Sequence, residues 1–192
     1  MKSVIFCGVG GQGVILASKV LMEVAMRAGF DVRESEVHGM AQRGGSVECN
    51  VRFGTKVYSP LIARGDADFI VAFELLESMR KIEFLSDNGM MIVNRLQISP
   101  TPVVSGNMTY PSDIESWIGK NTKKSLFLDT DSALKETGNT KTLNILMLGV
   151  LSQYLDFTLE DWHNAIRSQV KEKFIDLNIV AFDKGRMLKD KR

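Results

Sequence analysis

The chain has 192 residues, with 24 Lys and Arg against 23 Asp and Glu, a formal charge of +1, 44% hydrophobic residues and 24% charged ones. Balanced charge and ample apolar material exclude a disordered chain and argue against a basic nucleic-acid binder. Cys7 and Cys49 are too few for an all-cysteine zinc site or a self-contained iron–sulfur cluster, and their apolar neighbours predict buried thiols in a reducing compartment.

Residues 3–7, SVIFC, form a short apolar run ending in glycines, which predicts a buried parallel strand rather than the core of a signal peptide. Residues 14–28 follow as a mostly apolar helix whose solvated stripe is Lys19, Glu23 and Arg27, spaced four apart. Gly29 stops it, and Asp31–Ser35 is a short extended segment. In Val47–Phe53 the period changes to strict alternation, as in a half-buried antiparallel strand. Gly54-Thr55 reads as a hairpin turn and Lys56–Ser59 as the return strand, stopped by Pro60.

Phe69–Phe73 is a second buried strand, followed by an amphipathic helix over 74–85, a turn at Asp87-Asn88-Gly89 and a strand at Met90–Val93. Residues 99–112 hold three of the four prolines and read as loop. Ser112 with Glu115 predicts a capping box for a short helix through Trp117, and Leu126–Leu128 a short strand. Leu143–Leu155 is apolar nearly all round, the pattern of a core helix or a subunit contact. Thr158 with Asp161 forms a second capping box, and a last helix runs from about residue 173 or 176 toward 188. The longest apolar run, 145–151, is far too short to span a bilayer, so no membrane association and a cytoplasmic location are expected. The alternation of strands and helices predicts one α/β domain over 1–192: Rossmann-like, three-layered, with a mixed, mainly parallel sheet and an inserted β-hairpin.

Two segments carry the functional signal. Gly8, Gly10, Gly11, Gln12 and Gly13 lie between a predicted strand and a predicted helix, where backbone N–H groups and the helix dipole can meet an anion. Glu34 or Glu36 stands about 20 residues on, where a ribose-binding acid would be. That pattern alone supports a free-standing NAD(P)-dependent dehydrogenase, although so short a chain leaves little room for a separate substrate domain. The second segment, Ser35 to Ser46, fits neither helix nor strand periodicity and combines glycines with His38, Gln42, Arg43, Gly44, Gly45 and Ser46. Its glycines can turn backbone amides outward, and arginine adds a fork for carboxylate or phosphate. His38 reads as a contact residue rather than a base; His163 sits on the polar side of a late helix and reads as surface. Gly65-Asp66-Ala67 with Asn94 is too incomplete for a thiamine metal motif and reads as a turn before a strand.

Taken together, GVGGQGVILASKVL, SEVHGMAQRGGSV, VYSPLI, FELLESMR and KFIDLNIVAFDKG resemble the gamma subunit or gamma domain of 2-oxoacid:ferredoxin oxidoreductases, and within that family the small (beta) subunit of indolepyruvate ferredoxin oxidoreductase. The resemblance covers essentially the whole chain. The HGMAQRGGS order favours the indolepyruvate branch over the pyruvate and 2-oxoglutarate branches, which stay as alternatives. It implies oxidative decarboxylation of a 2-oxoacid, such as an arylpyruvate, to an acyl-CoA, with electrons passed to ferredoxin. Thiamine diphosphate, Mg and the iron–sulfur clusters would belong to a large partner subunit, since this chain has neither a credible thiamine motif nor enough cysteines; CoA is the co-substrate. On that resemblance no catalytic residue and no metal ligand is assigned to this chain. The two glycine-bearing segments would lie at the subunit interface beside the thiamine and CoA sites, with a CoA phosphate at the helix starting near Gly13. The isolated chain is expected to be inactive, and its self-association as a homodimer stays open.

Overall fold

The first strand, β1 (Lys2–Val9), is apolar on both sides and buried on both: Val4 and Phe6 face one way, Ile5 and Cys7 the other, none with any exposure. Such a strand must be covered on both faces. The structure, a computed structural model describing residues 1–38 and 44–188 with backbone alone at His38, provides that cover with two helical layers. The sheet has six strands in the order β2-β3-β1-β4-β5-β6. They are β1, β2 (Asp31–His38), β3 (Ser46–Gly54), β4 (Ala67–Ala72), β5 (Leu85–Asn94) and β6 (Ser125–Leu128). β1, β4, β5 and β6 pair in parallel, whereas β3 runs antiparallel to both its neighbours, β1 and β2. The mixed, mainly parallel three-layer fold expected from the sequence is therefore present.

On one face lie α1 (Val14–Arg27), α5 (Asp131–Thr137), α6 (Leu143–Ser152), α7 (Leu159–Gln169) and α8 (Ile175–Met187), packed on Val4, Phe6, Cys49, Val51, Val71 and Ile92. On the other lie α2 (Leu75–Lys81) and α4 (Ile114–Asn121), packed on Ile5, Cys7, Ile70, Ala72, Met91 and Val93. A four-residue helix, α3 (Thr101–Val104), buries nothing. Every residue of α6 is buried, which resolves its all-round apolarity as core. α8 can lie against it because Gly149 and Gly185 meet at the crossing: a Cβ on Gly149 would fall 2.1 Å from the Phe182 carbonyl oxygen. The Thr158–Asp161 capping box is formed as expected.

Four local expectations fail. The hairpin is β2–β3, with Ser35–His38 in the ladder, and residues 56–59 form no strand. Alternation identifies a half-buried strand but not its partner; 57–61 are held by side chains instead, Val57 N–H donating to Asp31 at 2.9 Å and Arg52 to the Leu61 carbonyl at 2.9 Å. Asp87-Asn88-Gly89 is an irregularity inside β5, where the pairing to β4 jumps from Ala67–Leu85 to Phe69–Met90. The Ser112–Glu115 box does not form: Asp113 precedes α4 without a side-chain cap, and Glu115 receives Arg95 Nε at 3.0 Å. His163 is only 18% exposed in its side chain, bonded to Asp183 at 2.9 Å and edge-on to Phe182.

Candidate functional site

Ligands of open α/β sheets bind outside the carboxyl ends of the parallel strands, and here that end is unusually polar. β1 runs through Gly8 into the turn Gly10–Gly13, and α1 begins at Val14. Gly13 sits at φ 78°, a left-handed conformation that favours glycine, and a Cβ there would also strike Asn144 Nδ2 at 2.7 Å. α1 has no side-chain cap and no acidic residue in its first turn. Among the described residues, its leading N–H groups and positive dipole end thus have neither a side-chain cap nor a first-turn acid. Asn144, from α6, donates through Nδ2 to the Gly13 carbonyl at 3.2 Å, while its buried Oδ1 has no partner among the described residues.

Gln12 turns inward. Its Oε1 accepts from Val9 N–H at 2.7 Å and its Nε2 donates to the Phe73 carbonyl at 3.0 Å, joining the ends of β1 and β4. Asn94 donates to the same carbonyl at 3.2 Å and accepts from Thr130 Oγ1 at 2.9 Å, extending the seam to β5 and to the residues after β6. The amide of Gln12 is therefore occupied by backbone, and Gly10, Gly11 and Gly13 are what the turn presents beyond it. Gly8 is buried beneath, with Gln12 Oε1 and Phe73 Cβ 2.8 and 3.1 Å from where its Cβ would be.

Beside the turn stands a cluster of charged side chains built around two buried carboxylates. Glu77, 3% exposed, accepts from Ser46 Oγ at 2.6 Å and from Arg80 Nη1 at 2.6 Å, and its carbonyl faces the Cys7 thiol at 3.7 Å. Glu74, 1% exposed, accepts from Glu77 N–H at 2.9 Å, Ile98 N–H at 3.0 Å and Tyr110 Oη at 2.5 Å. Glu48 pairs with Lys81 and accepts from Asn50 at 2.9 Å. Burial, then the hydrogen bond to Glu74, pushes the Tyr110 hydroxyl well above the usual tyrosine range. Burial, then the charge of Glu77, does the same to the Cys7 thiol. Burial also raises Cys49 to about 12. The two thiols lie on opposite faces of the sheet, so they cannot ligate one cluster together.

The residues singled out from the sequence are brought together in part. Gly10 N–H donates to Gly45 O at 2.8 Å, and Val9 pairs with Ser46, so the turn touches the end of the second segment directly. Gly44 is exposed at φ 77°. Gln42 and Arg43 lie outside the described residues, as does the side chain of His38. Glu34 accepts from Ser18 Oγ at 2.5 Å, on a strand separated from β1 by β3. Glu36 lies on the same strand. With strands about 4.8 Å apart, that strand runs about 10 Å from β1, one spacing beyond the adjacent strand that would offer a ribose-binding acid, and the dinucleotide reading loses its second element. Sequence reasoning missed Glu74, Glu77 and Asn144, and set Asn94 aside with an incomplete motif. The first two were readable only as a solvated helix face, because the partners that bury them are 24 to 36 residues away.

The sequence profile of the family described as Pyruvate ferredoxin/flavodoxin oxidoreductase matches residues 3–188. The chain is 39% identical over 188 residues to the indolepyruvate oxidoreductase subunit IorB of Pyrococcus horikoshii, covering 95% of this chain and 93% of that one. It is likewise 39% identical over 191 residues to IorB of Thermococcus kodakarensis, covering 95% and 93%. Similarity to the 2-oxoglutarate synthase subunit KorC of Methanothermobacter thermautotrophicus is lower, 26% over 196 residues, with 97% and 94% covered. The fold is shared with the gamma subunit of keto/oxoacid ferredoxin oxidoreductase from Geobacter sulfurreducens, at a TM-score of 0.71 and 23% identity over 96% of each chain.

Proposed function

The chain belongs to the pyruvate ferredoxin/flavodoxin oxidoreductase family, and we propose that it is the small subunit of a 2-oxoacid:ferredoxin oxidoreductase of the indolepyruvate type, acting on arylpyruvates and coenzyme A with ferredoxin as acceptor. The observation that carries the branch is the identity of 39% to two IorB subunits against 26% to a KorC subunit, each over nearly the whole chain. Thiamine diphosphate, Mg and the iron–sulfur clusters belong to the large partner, and this cytoplasmic chain, one domain over 1–192, completes the enzyme. Gly10, Gly11 and Gly13 with the start of α1 form the part that meets a phosphate of CoA, and His38, Gln42, Arg43, Gly44 and Gly45 meet the partner or the substrates, with Ser46 anchoring the end of that segment. The uncapped, acid-free start of α1 supports this reading, because an anion there would complete a helix end that no side chain caps among the described residues.

The reading is tested by reconstitution. Purified alone, the chain is inactive. Mixed with the large subunit, indolepyruvate, CoA and thiamine diphosphate, it restores ferredoxin reduction. A large subunit that ran at full rate without it would end the proposal. Arg43→Ala is expected to lower turnover of the reconstituted complex without lowering the thermal midpoint of the isolated chain.

A further inference from the structure

We propose that Glu77 is a positioning residue of the assembled enzyme, its buried carboxylate fixing Ser46 and thereby the seat of β3 against the glycine turn. The inference rests on the subunit assignment above. Glu77 lies in the first turn of α2, and its carboxylate reaches out to the first residue of β3. One oxygen takes Ser46 Oγ at 2.6 Å and the other takes Arg80 Nη1 at 2.6 Å. Next to Ser46, Gly45 O receives Gly10 N–H at 2.8 Å. Consecutive residues are thus tied to two elements, Gly45 to the glycine turn and Ser46 to α2. Two residues further along β3, Glu48 pairs with Lys81 of the same helix.

An exposed pair three apart on a helix contributes little and needs no further explanation. Glu77 differs in two ways: it is 3% exposed while Arg80 is half-exposed, and one of its two carboxylate hydrogen bonds goes to β3. Buried ion pairs are poor sources of stability, and apolar side chains of similar volume often serve as well or better. An apolar residue here would fill the space but release both Ser46 and Arg80. What the carboxylate adds over an apolar side chain is place, and the place it fixes adjoins the N-terminus of α1.

The test uses Glu77→Gln and Ser46→Ala in the full chain, with two readouts. The first is hydrogen exchange of the chain. Exchange at Gly10 is expected to rise about tenfold in both variants, while amides shared by β4 and β5 stay as they are. The second is steady-state kinetics of the complex with the large subunit. KM for coenzyme A is expected to rise about tenfold with kcat held within about twofold, the pattern of lost ground-state binding. If Glu77→Gln fails to fold, Ser46→Ala carries the test, since it leaves the Glu77–Arg80 pair in place. Unchanged exchange at Gly10 in Ser46→Ala, or a rise spread evenly over the sheet, would overturn the inference, as would an unchanged KM. A wild-type complex inactive toward every 2-oxoacid would instead remove the subunit assignment, and the exchange readout would still decide whether Glu77 holds this junction.

Discussion

α8 crosses α6 at Gly185, where a Cβ would lie 2.0 Å from the Leu146 carbonyl oxygen, 2.9 Å from its carbon and 3.2 Å from Gly149 Cα. Gly185→Ala puts a methyl group there, and the obstacle is backbone, which cannot rotate away. To reach even 3.0 Å the two helices must part by about 1 Å at this point. A gap of about 0.5–1 Å forfeits a quarter to a half of each dispersion contact across it. The contacts at stake are those of Leu146, Val150, Ala181 and Phe182, all without exposure. Overpacking typically costs about 1–3 kcal/mol and occasionally more, and with backbone as the obstacle on both sides the upper end, about 3–5 kcal/mol, applies. Alanine returns about 1 kcal/mol of helix propensity, leaving a net loss of about 2–4 kcal/mol. For a chain of this size that lowers the thermal midpoint by about 5–15 °C. Gly119→Ala is the control: it lies within α4, its Cβ would meet nothing within 4 Å, and its φ is not left-handed. It is expected to gain about 0.5–1 kcal/mol from propensity and unfolded-state entropy. Thermal denaturation followed by circular dichroism compares the two. A Gly185→Ala midpoint within about 2 °C of the unaltered chain would refute the steric reasoning.

Three further expectations concern the strand ends and the titratable groups. Gln12→Ala removes the partner of Val9 N–H and one of the two amides on the Phe73 carbonyl; it should cost about 1–3 kcal/mol in urea denaturation, and an unchanged midpoint would mean that water replaces the side chain. Neither Cys7 nor Cys49 should react with an aromatic disulfide reagent at pH 8 in the folded chain, because burial holds both thiols neutral there, and both should react after guanidinium unfolding. Asp31 is held below its ordinary value chiefly by the Val57 N–H, with Arg33 and Lys56 adding to it. Its contribution is therefore complete above the unfolded value near 4 and is lost as pH falls through the lower folded value. The Val57 amide shift in an acid NMR titration should move with a midpoint below about 4, and should cease to do so in Asp31→Asn.

How far the sequence reveals this molecule depends on the distance over which each signal acts. β1, the glycine turn and α1 are legible because strand, turn and helix are contiguous and each has its own periodicity. The Thr158–Asp161 box is legible for the same reason, whereas Ser112–Glu115 matches the pattern and fails, since Arg95, 20 residues away, takes the glutamate. The pairing of β3 is not local information: alternation in 47–53 fits a return strand on either side, and the structure chooses the earlier segment. Glu74 and Glu77 follow the spacing of a solvated helix face, yet both are buried, because their donors come from Ile98, Tyr110 and Ser46. Asn144 sits in a run that is otherwise nearly all apolar, and only the fold brings it 131 residues back to Gly13.

The packed core and the candidate site draw on different parts of the sheet. The face carrying α6 and α8 is apolar and closely packed, down to two glycines that admit no Cβ. At the carboxyl ends of β1, β4 and β5, position is held by individual hydrogen bonds made by the amides of Gln12 and Asn94 and accepted by the carboxylates of Glu74 and Glu77. Packing of the first kind fails as a unit, and its variants lose the folded chain. Bonds of the second kind fail one at a time, each moving one loop or one helix end while the core stays intact. Variants at Gly149 and Gly185 should therefore reduce the amount of folded subunit and leave the kinetics of what remains unchanged. Variants at Ser46 and Glu77 should leave the amount nearly unchanged and alter KM. Overlap of these two phenotypes would mean that the glycine turn takes its position from the core and not from the bonds around it.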